Sequence, residues 1–259
     1  MRSAPLITPS WPAPHWVKAV TTTRQGGVSA GAFASFNLAQ HVGDTANNVS
    51  LNRVQLASLL NLPQSPHWLT QVHGNRVIEL SDTDEQGMVP KADASYTRAA
   101  GQVCAVMTAD CLPILLCHRR HKIIAAVHVG WRGLAQGVIE AALTHFDGHS
   151  NPRSSHKNQM LAWLGPAISS KAFEVGVEVY RTLALDQDSA ACFTTSSDAH
   201  WHADLYELAR LRLRKAGVAA IYGGEFCSYT DSARFFSYRR DGKSTGRMAS
   251  LIWMDDKGC

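Results

Sequence analysis

From Cys104 to Ala135 the sequence reads CAVMTADCLPILLCHRRHKIIAAVHVGWRGLA, and no other stretch constrains the fold as strongly. Leu112 to Cys117 and Ile123 to Val129 are short apolar runs separated by a polar turn. Runs that apolar suit buried strands. Pro113, which cannot donate to a ladder, suits the start of its strand or an edge. Each run also touches a potential metal ligand or nucleophile: Cys111 opens the first and His128 lies near the end of the second.

The flanking sequence alternates strand and helix patterns. Val17 to Thr23 reads as a strand ending at the turn Arg24-Gln25-Gly26-Gly27, where glycine supplies positive φ. Arg24 either stays at that turn or points into a site and holds an anion. Asp44 is placed to cap a helix through about Leu60, with Val49, Val54, Leu56, Leu59 and Leu60 as its apolar stripe and Asn48, Asn52 and Arg53 facing away. Strands are expected over His67 to His73, Arg76 to Leu80 and Val103 to Thr108, with a surface loop over 81–91. One amphipathic helix is expected from Leu134 to Phe146, then a polar linker over 147–158. Further on come a strand at Met160 to Leu164, a helix near Val175 to Ala184 and a helix from Asp204 to Ala216. Val218 to Tyr222, Phe235 to Tyr238 and Met248 to Trp253 read as closing strands, with Arg239 to Lys243 as a hairpin loop. There are no internal repeats, and the weakest seam, 148–158, reads as an insertion within one domain over 1–259.

Composition removes several functional classes. With 45% hydrophobic and 18% charged residues, the 259-residue chain is of ordinary globular type. The net charge of +4 comes from scattered basic residues rather than a stripe, which argues against a nucleic-acid partner. No run approaches the roughly 18 apolar residues of a membrane span. The proline-rich start, MRSAPLITPSWPAPHW, lacks the apolar core of a signal peptide. Six cysteines spread over this length do not form a disulfide framework, which favours the reducing cytoplasm.

Among chemical motifs, HExxH, CxxC, the phosphate-binding P-loop, the dinucleotide glycine pattern and the zinc deaminase signature are all absent. The single His-x-His pair, His200 and His202, sits in a polar stretch. His73, Cys111 and His128 remain, all near strand ends, where a rigid sheet can fix groups that meet in space. Two imidazoles and a thiolate would leave the fourth position open on Zn²⁺, as a catalytic site requires. The same residues also suit a cysteine hydrolase, with Cys111 as nucleophile, His128 as base and Asp110 or His73 as orienter. Spacing alone does not separate the two. Arg132, beside a helix start expected at Leu134, adds an anion-binding group to either.

The segments TTTRQGGVSAGAFASFNLAQHVGD, LTQVHGNRV, KADASYT, TADCLPILL, AAVHVGWRGLA, GPAIS and CSYTDSARFFSYRRDGKSTGRMASLIW follow one another along nearly the whole chain. In that order they closely resemble the YfiH family of laccase-domain, or polyphenol-oxidase-type, proteins. The resemblance implies an α/β fold with layered α-β-β-α architecture and mixed sheets, akin to a bacterial toxin cysteine-hydrolase domain. It implies that His73, Cys111 and His128 are metal ligands, usually for zinc. The activities it implies are phosphorolysis of adenosine, inosine and methylthioadenosine, adenosine deamination, copper-dependent polyphenol oxidation, and removal of misplaced serine from peptidoglycan precursors. A zinc-dependent purine nucleoside enzyme is the leading expectation, with Arg132 and Arg24 holding phosphate. Amide hydrolysis on a peptidoglycan precursor is the alternative. Oxidation is the least physical, because Zn²⁺ is redox-inert and one His₂Cys copper lacks the cluster for four-electron dioxygen reduction.

Overall fold

The computed structural model describes residues 6–80, 89–146 and 159–255. Expectations for 81–88, 147–158 and the two ends lie outside the described residues.

The apolar runs form the middle of a six-stranded mixed sheet. Its order is β12 (Ala220–Gly223), β8 (Met160–Leu164), β6 (Leu112–His118), β7 (Ile124–Val129), β4 (Ala94–Thr97) and β3 (Val77–Glu79). The outer pairs β12–β8 and β3–β4 are parallel and the inner pairs antiparallel. A second sheet, wholly antiparallel, runs β1 (Leu6–Ile7), β2 (Val17–Thr22), β13 (Met248–Met254) and β5 (Val103–Thr108).

Side-chain alternation explains why these strands are apolar throughout. In β6, Leu115 and Cys117 join Ile124, Ala126, Leu161 and Trp163 in a core facing Cys104, Val106, Ile252 and Met254 of the other sheet. The intervening Leu112, Ile114 and Leu116 pack instead under α3 (Val138–Thr144) and the later helix Leu205–Lys215. On the far face of the second sheet, Val103, Ala105, Leu251 and Trp253 meet Phe36, Leu38 and Leu56, the last from α1 (Ala46–Leu60). The layers are therefore α-β-β-α, and both sheets are covered twice. No helix among the described residues is long and apolar enough to cross a membrane.

Local chemistry alters several expected elements. Pro113 is the second residue of a central strand, where it opposes His128 of β7 and the ladder to β8 begins only at Ile114. His67 to His73 is not a strand: only His67 and Thr70 make isolated bridges. The helix expected over 134–146 starts at Trp131 and is two helices, α2 (Trp131–Ala135) and α3, broken where Gly137 takes φ 80°. β10 (Phe193–Ser197) pairs with β11 (His200–Ala203), which pairs in turn with β9 (Glu174–Gly176), in a small third sheet that was not expected. Phe235 to Tyr238 forms no strand, and the expected hairpin loop after it is instead a helical turn, Tyr238–Asp241, capped by Ser237.

On α1, Val49 and Leu56 are buried as expected, but Val54 and Leu59 are exposed and Asn52 is fully buried. Asn52 accepts from Val28 N–H and donates to Ser29 Oγ and the carbonyls of Ser35 and Asn37, so the loop supplies the partners its amide needs.

Candidate metal centre

The β5–β6 turn presents Cys111, and Asp110 is held there at φ 95°. Its carboxylate, inside the protein, accepts from Ser228 Oγ (2.7 Å), Ser237 Oγ (3.0 Å) and Arg239 N–H (2.6 Å). Asp110 thus ties the turn to the segment before β13. It has no part in orienting His128, as the cysteine-hydrolase reading would have it.

That task belongs to Asp93. Its Oδ1 lies 2.8 Å from His128 Nδ1 and accepts from His73 N–H at 2.8 Å, while Oδ2 accepts from Gly74 N–H at 2.8 Å. One buried carboxylate therefore fixes the main-chain turn that carries His73, itself at φ 60°, and the ring of His128. Because Nδ1 of His128 is engaged, Nε2 is the atom left to face a ligand.

His73 Nε2 is 3.8 Å from Cys111 Sγ, the two imidazoles meet edge to face at 4.8 Å, and the candidate ligand atoms of all three residues lie within 4.8 Å of one another. Gly130 makes this closeness possible: a Cβ there would sit 2.8 Å from His73 Cδ2 and 3.1 Å from Cys111 Sγ.

Electrostatics suit a cation. Burial opposes ionisation of Cys111, but the His128 charge and hydrogen bonds from both histidines outweigh it and bring the thiol down to about 6. Burial likewise opposes protonation of His128, yet the Cys111 thiolate and Asp93 raise it to about 9. Desolvation would raise Asp93, but its bonds to His128 and the turn hold it below the usual carboxylate range. Without a metal the pair is thiolate and imidazolium, and a bound cation would displace the imidazolium proton. Two nitrogens and a thiolate sulfur fit Zn²⁺ chemically and leave a position for substrate. They form a possible metal site, and it is the only such group among the described residues.

The trio opens into a cavity of about 420 Å³, also lined by Arg132, Arg239, Arg247, His41, Phe173 and Tyr238. Arg132 lines the same cavity, its guanidinium 4.2 Å from the Trp131 ring centre. Arg24 does not line the cavity. Its Nε donates to the Ala34 carbonyl and Nη1 to that of Ser232, and the guanidinium lies over Phe236, so its donors hold loops together.

The family described as multi-copper polyphenol oxidoreductase laccase matches residues 18–255. The chain is 50% identical over 250 residues to YfiH of Escherichia coli (strain K12), named a purine nucleoside phosphorylase, covering 96% of this chain and 98% of that protein. The chain belongs to the YfiH family. Solved structures agree in fold. A Neisseria meningitidis protein, 44% identical, superposes with TM-score 0.89 over 97% of this chain and 100% of its own. YlmD from Geobacillus stearothermophilus, 31% identical, does so with TM-score 0.91 over 99% and 98%. With full-length YfiH-family relatives named as purine nucleoside phosphorylases, this chain is an enzyme.

Proposed function

We propose that the chain is a cytoplasmic, zinc-dependent purine nucleoside enzyme whose principal reaction is phosphorolysis of adenosine, inosine or methylthioadenosine. The observation that carries this reading is the meeting of the His73–Cys111–His128 trio with cationic side chains in one cavity. Its volume of about 420 Å³ is that of a small-molecule site. Names borne by full-length relatives supply the substrate class.

In phosphorolysis a phosphate oxygen bonds to C1′ of the ribose as the bond from C1′ to the purine nitrogen breaks, and the electron pair leaves with the purine. His73, Cys111 and His128 would hold the zinc, with Asp93 fixing His128 so that Nε2 faces it. When bound, zinc supplies Lewis acidity at the cavity wall. Arg132 holds phosphate against its charge, and Phe173 and Tyr238 offer flat apolar faces for the base. Deamination of adenosine, which needs activated water at C6, is a second reaction for the same residues.

A hydrolase reading has its own support: Cys111, His128 and Asp93 are ordered as nucleophile, base and orienter. Its substrate would be an amide of a peptidoglycan precursor, with misplaced serine released.

One assay separates them. Protein of defined metal content is incubated with adenosine and phosphate, and products are followed by mass. Adenine with ribose 1-phosphate supports phosphorolysis and inosine supports deamination. Neither product, with serine released from a muropeptide precursor, overturns the nucleoside reading.

A further inference from the structure

The charge along the cavity is unbalanced. Arg132, Arg239 and Arg247 line it together with His41, whereas the carboxylate in the lining, Asp110, already accepts three hydrogen bonds. Arg132 and Arg239 are exposed; Arg247 is half-buried. Nη1 of Arg247 donates to the carbonyls of Thr245 (2.7 Å) and Gly246 (2.9 Å), which set the plane of the guanidinium; Cys111 and Asp110 act on it only at longer range, and no carboxylate bonds to it among the described residues. A desolvated guanidinium held in one orientation without a carboxylate is half of an ion pair, and its fork geometry matches a tetrahedral oxyanion. His41 marks the same region as electropositive: burial first, then Arg247 and Arg53, hold it below the ordinary histidine range.

We propose that Arg247, backed by Arg239, is the principal oxyanion-binding residue of this cavity and takes the phosphate group. Geometry supports the anion class, and the identification of the anion as the phosphate co-substrate rests on the phosphorolysis reading. Arg132 then serves as a second, solvent-side contact.

Binding of inorganic phosphate alone to the full-length, zinc-loaded protein tests this by calorimetry, with no nucleoside present. R247Q should weaken phosphate binding about tenfold or more, with R247K recovering part of the loss. R239Q should cost about threefold. Wild-type protein that binds no phosphate, or R247Q within about twofold of wild type, overturns the assignment. If R247Q does not fold, as its thermal melt would reveal, R239Q decides: unchanged affinity overturns the proposal and a loss supports it. Phosphate binding that depends on Arg247 in a protein without phosphorolysis upholds the anion site while refuting the nucleoside reaction.

Discussion

A proton on Cys111 competes with whatever the trio binds. With the thiol at about 6, against an ordinary 9.0, alkylation of Cys111 in metal-free protein should rise through about pH 6, and zinc should suppress it. The stability linked to this pair has a matching window. Raised from 6.5 to about 9, His128 contributes fully below its unfolded value and loses that contribution as pH rises through about 9. Depressed Cys111 contributes above its unfolded value and loses it as pH falls through about 6. Across about pH 6.5 to 9 the gain on Cys111 offsets the loss on His128, so denaturant melts of the metal-free protein should show little pH dependence from this pair. Asp93→Asn should lower zinc affinity about 10- to 100-fold in a chelator competition, because it disturbs the group that orients His128. His73, Cys111 and His128 are legible in the sequence as candidate ligands at the ends of apolar runs, and the family motifs tie the three together. Asp93 is not legible as a site residue, since it acts on main-chain N–H groups that no side-chain pattern reports. Arg24 and Arg247 are both arginines beside loops, and only the fold tells which one finds backbone carbonyls outside the cavity.

At the scale of elements, α1 buries Asn52 along with Val49 and Leu56, so its facing follows from satisfied polarity as well as from an apolar stripe. Asn52→Ala should destabilise the protein by about 2–4 kcal/mol, read from denaturant melts, because it removes four contacts to the loop between Val28 and Asn37. Val54→Lys, at a position 68% exposed, should change stability by less than about 0.5 kcal/mol in the same measurement. A binary pattern places polar residues outside, and here a buried amide with all its partners defeats it. The same limit hid the third sheet, whose Phe193–Ser197 strand is largely exposed and carries no apolar run. Strands buried on both faces, β5 to β8 and β13, were readable because most of their positions are apolar, and polar exceptions such as His128 and Ser250 find partners inside.

Across the whole molecule, the trio joins three separated stretches: the turn after Thr70, the β5–β6 turn and the end of β7. A bound metal would cross-link them, so chelation should lower the melting temperature of the wild type and leave that of Cys111→Ala nearly unmoved. Equal shifts in the two proteins would place the metal elsewhere. Burial of the central strands was legible from their apolar runs and the four layers came through the family resemblance, whereas the convergence of the three turns depends on sheet register, which periodicity does not encode. The Asp93 carboxylate also bears on the order of events in the life of the chain. Because it locks the His73 turn and the His128 ring through protein contacts alone, the cradle is finished when folding ends. Maturation is then a filling step rather than a folding step. The empty protein should take up zinc in one kinetic phase, at a rate proportional to zinc concentration, and release and reload it without passing through an unfolded chain.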